Sequence, residues 1–212
     1  MSSYSDGATR THVIGAFLGL VVLPEFQNLA LEQQELVKWM VLFHDVEKEI
    51  RDGQRDPAHG FRSAVTAARQ LPRLGFPTTV EYDDLIDSWS KFTYSAVKAS
   101  TSRPELIQDN DKLPQILAGI ERMFGANAPT GLIVKGVLLH MSIDVLRDWR
   151  QPAPLTDKEI KRYVTDGLMP LLKVLMLADN DGWVLFYPQR ERQRTESLET
   201  FQRIMGMIPN DL

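Results

Sequence analysis

Apolar side chains recur along this chain at intervals of three and four, the spacing that lines one face of a helix. An apolar helix is expected over 10–23, after a small, polar arm at 1–9. Leu36, Val37, Met40, Val41 and Val46 mark the buried face of a second helix over 33–48. The charged, turn-forming stretch 51–57 reads as a loop. A helix over 58–71 follows, with Phe61, Ala64, Val65 and Ala68 inward, closed by Pro72 and the turn at Gly75. Leu85, Ile86, Trp89 and Tyr94 anchor a helix over 79–100, and another is expected over 113–124. The strongly apolar 132–149 reads as a central helix. Thr156 and Glu159 are spaced as a capping box, in which each end satisfies an unpaired backbone N–H. The helix they open is expected to reach Asp179 with a bend at Gly167 and Pro170. A short extended piece at 183–187 and an amphipathic C-terminal helix within 190–212 complete the pattern. With no repeat, biased tract or long linker, residues 10–212 read as one all-α domain, a helical bundle.

Composition narrows the chemistry. Hydrophobic residues at 43% and charged residues at 25% suit a soluble globular chain. The apolar run 13–23 is too short to span a bilayer and ends at Pro24, and no secretory leader is read. Cysteine is absent, which removes disulfides, thiolate ligands and a cysteine nucleophile together and suits a reducing, cytoplasmic setting. Any metal must then be held by imidazole and carboxylate, which favours Mn, Mg, Co, Ni, Fe or Zn. A net charge of −4 and a pI near 5.6 give no basic field for nucleic acid or an anionic membrane.

The chemistry-bearing residues are few. His44 and Asp45 are adjacent and follow the apolar run Trp39-Met40-Val41-Leu42-Phe43. Burying either as an ion is costly unless it is paired or coordinated. His12 lies at the start of the preceding helix, His59 follows the loop at Pro57, and His140 sits inside an apolar run. Leu175-Met176-Leu177-Ala178-Asp179 ends a late helix.

His44-Asp45-Val46-Glu47-Lys48 resembles the His-Asp-x-Gly-Lys signature of the HD superfamily of metal-dependent phosphohydrolases. His12 and Ala178-Asp179 fall where that family places its first and last ligands. Ala58-His59-Gly60-Phe61-Arg62-Ser63-Ala64 and Leu71-Pro72-Arg73-Leu74-Gly75-Phe76 are similar to HD domains attached to tRNA nucleotidyltransferases. The resemblance covers roughly residues 10–180 and implies an HD-like bundle holding a divalent ion on His12, His44, Asp45 and Asp179. His59 and His140 match the extra histidines of family members that bind a second ion, with Asp45 as the bridge. Lys48, with Arg51 and Arg55 from the loop, would meet a substrate phosphate. The implied activity is hydrolysis of a nucleotide or other small phosphate ester by water activated at the ion. Glu47 departs from the family's glycine; it narrows the pocket or serves as a base.

Each residue also has an ordinary reading alone: a capping histidine at 12, a satisfied core histidine at 140, a helix-ending turn at 179–182. Asp181 is an alternative ligand to Asp179. Trp89, Trp149 and Trp183 suit core or interface anchors, and the charged residues 190–199 suit a solvated face or a homodimer contact. Two other functions fit the same residues: an HD-type di-iron oxygenase, and a non-catalytic module binding a nucleotide or partner.

Overall fold

The computed structural model describes residues 7–49, 56–79, 82–94, 97–99, 106–143, 155–182, 195, 198–199 and 201–203. Arg51, Arg55, Trp149, Trp183 and the segment 183–187 lie outside them.

Helices α1 (Gly7–Val22), α2 (Pro24–Gln27), α3 (Leu31–Phe43) and α4 (His59–Gln70) form the first half. The helical part of the expected arm is residues 7–9, since α1 begins at Gly7. α3 stops at Phe43, earlier than expected, and His44 to Glu47 form turns. Val37, Met40 and Val41 are fully buried on its inner face. α4 buries Phe61, Ala64, Val65 and Ala68, as its periodicity predicts. A 3-10 turn at Pro72–Leu74 then ends at Gly75, whose φ of 95° is left-handed and suits glycine.

α5 (Tyr82–Tyr94) is shorter than the expected helix over 79–100. The chain next forms β1 (Val97–Ala99), which pairs antiparallel with β2 (Leu106–Gln108) in the register Val97 to Gln108. This small ladder is an appendage to an all-α bundle. α6 (Leu113–Phe124) matches its predicted span, with a proline in its first turn and Gly125 at its end.

α7 (Pro129–Leu139) is the central helix, buried at every residue from Thr130 to Leu139. Even Lys135 is buried, its Nζ donating to the carbonyl of Ala126. The helix expected over 132–149 ends at Leu139; residues 144–149 lie outside the described set. α8 (Asp157–Tyr163) opens with the predicted capping box, in which Thr156 N donates to Glu159 Oε2 at 2.8 Å.

A separate helix, α9 (Met169–Gly182), follows instead of a bent continuation. Val164 is extended, and Pro170, which lacks an N–H, falls in the first turn of α9 where none is needed. α9 also remains helical through 179–182, where a turn was expected. Among the described residues of the C-terminal helix, Phe201 is fully buried in the core and Leu198 packs on it. That part of the helix is therefore seated on its own chain. α1 packs along α9, α4 along α7, and α3 touches both α7 and α9. These five helices bring their chemistry-bearing residues to one interior point.

Candidate metal centre

Three of the four histidines stand at helix ends. His44 caps the C-terminus of α3, His140 caps that of α7, and His59 opens α4. Each uses Nδ1 on the carbonyl three residues earlier. His44 bonds Val41 O at 2.7 Å, His140 bonds Val137 O at 2.7 Å, and His59 bonds Asp56 O at 2.6 Å. A carbonyl only accepts, so Nδ1 carries the hydrogen, and in the neutral ring Nε2 offers its lone pair. Three Nε2 atoms are thereby presented as ligand atoms by local backbone geometry.

They point at one another and at two carboxylates. His12, from α1, lies with Nε2 3.3 Å from His44 Nε2 and 2.8 Å from Asp179 Oδ1. His44 Nε2 is 3.5 Å from the same Asp179 oxygen. His59 Nε2 is 3.2 Å from His140 Nε2 and 3.0 Å from Asp45 Oδ1. Asp45 stands between these sets: Oδ1 faces His59 and His140, while Oδ2 lies 3.4 Å from His12 Nε2. Two groups result, His12–His44–Asp179 and Asp45–His59–His140, each able to hold a metal ion.

The donor set fits a cation. Converging imidazole lone pairs repel, and an ion between them turns that repulsion into coordination. Burial makes the effect strong. The four histidines are at most 4% exposed and Asp45 only 1%, whereas the Asp179 side chain is 24% exposed. Burial alone would raise the Asp45 pKa, but Lys48, His44 and His59 hold it well below the usual carboxylate range. Asp179 is likewise held low against its burial, by bonds from His12 and His44. Burial would lower the pKa of His44, yet Asp45 and Asp179 raise it above 6.5. His140 drops to about 3 because burial and its histidine neighbours disfavour a charge.

Lys48 Nζ donates to Asp45 Oδ2 at 2.6 Å, so the lysine reaches the edge of the centre through the shared carboxylate. Glu47 is directed elsewhere: its Oε1 accepts from Thr66 on α4 at 2.8 Å. Asp181 turns toward α1, where its Cβ lies 3.0 Å from the place a Gly19 side chain would occupy. Asp179 is thus the aspartate of that segment that joins the cluster.

Sequence reasoning passed over two glycines that make room for the rings. A Cβ on Gly182 would lie 2.8 Å from His12 Nδ1, and one on Gly60 would lie 3.3 Å from His140 Cε1. It also passed over Asp56 and Arg62. The carbonyl of Asp56 orients His59, and its carboxylate pairs with Arg62. Adjacency of Gly60 to His59 is the one signal in the chain that bears on Gly60.

No helix among the described residues is long and apolar enough to cross a membrane. Set against family models, curated proteins and solved structures, the chain matches none, which leaves the geometry of these six side chains as what bears on function.

Proposed function

We propose that this chain is a metal-dependent phosphohydrolase of the HD type, acting on a nucleotide or another small phosphate ester. The observation that carries the reading is the meeting of four histidines and two aspartates in two buried groups joined by Asp45. Backbone carbonyls three residues earlier orient His44, His59 and His140, so the ligand atoms are set before anything binds. When bound, a divalent ion supplies a Lewis acid for a phosphoryl oxygen and lowers the pKa of water. Lys48 places a positive charge beside the shared carboxylate, where a substrate phosphate gains from it. Arg51 and Arg55, which lie outside the described residues, belong to the same proposal as phosphate contacts.

The test is metal content of protein purified without chelator, followed by turnover with Mn, Co, Ni or Mg. Wild type should carry one or two equivalents and hydrolyse a nucleotide, a phosphomonoester or a generic phosphodiester, the diester read by its released alcohol. The His44→Ala, Asp45→Ala double variant should carry none and cleave none. Metal-loaded wild type that cleaves none of these substrates overturns the phosphohydrolase reading.

The bridging position of Asp45 favours one other reading, a di-iron oxygenase. Iron-loaded protein would then give a mixed-valent signal and substrate-dependent oxygen uptake without phosphate release.

A further inference from the structure

We infer that Asp56 and Arg62 form a positioning clamp that builds the His59–His140 half of the centre, so that this chain holds two ions where it would otherwise hold one. The inference rests on the metal reading above and concerns what decides the number of ions.

The orienting carbonyls differ in one respect. Val41 and Val137 lie inside α3 and α7, held by helical hydrogen bonds. Asp56, which orients His59, lies before α4 begins and has no helix to hold it. α4 also lacks an ordinary N-cap, since its capping residue is Ala58, which has no side-chain acceptor.

The Asp56 carboxylate supplies both missing restraints. Oδ1 accepts from Ala58 N at 3.3 Å, which caps α4 from two residues upstream. Oδ2 accepts from Glu49 N at 2.8 Å and from Arg62 of α4. The Arg62 guanidinium donates to Glu47 O at 3.2 Å as well. Glu47 and Glu49 follow directly on the His44–Asp45 turn. The pair therefore ties the segment carrying Asp45 to the helix carrying His59. That tie sets the 3.0 Å approach of His59 Nε2 to Asp45 Oδ1. With its side chain only 8% exposed, Asp56 is shielded from water that would loosen these bonds.

The clamp's hydrogen bonds run to Glu47, Glu49, Ala58 and His59, on the side of the centre that holds Asp45 and His59. Loosening it should release His59 and leave the other group intact. Outer partners of metal-bound histidines are worth about 10–100-fold in affinity.

The experiment is a Co(II) titration of the metal-free full chain, followed by calorimetry and by visible absorption. Wild type should bind two ions in resolved steps. Asp56→Ala and Arg62→Ala should bind the first ion as wild type does and the second at least about tenfold more weakly. Their double variant should be no worse than Asp56→Ala, because the two side chains act as a unit. Arg62→Lys should restore part of the second-step affinity and supplies a folded comparison if Asp56→Ala unfolds. In the metal-free wild type the His59 Nδ1 proton should exchange slowly by NMR, and quickly in Asp56→Ala. Clamp variants that keep both steps unchanged, or weaken both equally while folded, overturn the inference. So does a wild type that binds one ion only. A wild type that binds no ion instead brings down the metal reading itself.

Discussion

The two groups of the centre are built from the same residue types but are held differently. His12, His44 and Asp179 come from three helices, α1, α3 and α9, and meet only because those helices pack. Asp45, His59 and His140 are wholly buried, and two of them are joined through the short Asp56–Arg62 tie. The first group is opened by whatever moves α1 from α9. The second is opened by whatever frees the start of α4. Identical donors can thus be tested by perturbing distant elements, and each perturbation should reach one group only.

Asp45 is the exception, because it belongs to both. Asp45→Ala should remove the largest share of metal affinity, leaving no retained equivalent after gel filtration of Co-loaded protein. His12→Ala and His140→Ala should each remove about one ion. If Asp45→Ala kept one ion as tightly as either histidine variant, the shared bridge would be wrong and the groups would be independent.

The glycines give a matched pair of smaller perturbations. In Gly182→Ala the new methyl meets His12 Nδ1 and the backbone N of Ala16, at 2.8 Å and 2.9 Å from where its Cβ must sit. Overpacking of this kind costs about 1–3 kcal/mol and should push α9 away from α1, weakening the first group. In Gly60→Ala the nearest atom is His140 Cε1 at 3.3 Å, a softer contact with a ring that can give slightly. That variant should lose less stability and weaken only the second group. Thermal unfolding and metal stoichiometry of both variants check the contrast. Equal loss at both groups in either one would mean that the centre moves as a single body.

These glycines show where reading the chain stops. Helical periodicity placed Phe61, Ala64 and Ala68 inward and delimited α6, because burial on one face leaves a pattern inside a single segment. The four histidines, Asp45 and Asp179 were legible as candidates by residue type and order, though not by their places on the helices: His12 and Asp179 lie inside α1 and α9, and His140 ends α7 where a longer helix was expected. The contact of Gly182 with His12 was not, since it depends on two segments from opposite ends of the chain. The same holds for Asp56, whose carboxylate gains meaning only when Glu49 and Arg62 are brought to it. The stop of α3 at Phe43 and the break before α9 were misread too. After His44 the backbone passes into three-residue turns, Val46 N to Phe43 O and Lys48 N to Asp45 O, and Pro170 falls in the first turn of a new helix. β1 lies in the stretch 79–100 that was read as a helix, and β2 in a stretch given no element.

A graded difference between the groups should appear with pH. His44 is raised above 6.5 by Asp45 and Asp179 against its burial, whereas His140 is lowered to about 3 by burial and by His59 and His44. In the metal-free protein a raised histidine adds stability that is complete below 6.5 and fades as pH climbs through its folded value. A lowered histidine acts in the opposite sense. The unfolded chain binds the proton more readily between about 3 and 6.5, so His140 costs stability as pH falls through that window. Asp45 and Asp179, held well below 3.8, add stability above that value and lose it as pH falls further. The metal-free protein should therefore soften on both sides, losing the His44 contribution in the alkaline limb and the others in acid. A bound ion reverses the alkaline limb, because His44 must shed its proton to coordinate. Affinity at the first group should rise by up to about tenfold per pH unit wherever His44 is still protonated and level off once it is neutral, while His140, lowered to about 3, adds no slope near neutral pH. Thermal unfolding with and without Co(II) from about pH 3 to about 8.5 reads both limbs. A metal affinity that stayed flat through this range would mean that His44 is not among the atoms the ion displaces a proton from, and the first group would then rest on His12 and Asp179 alone.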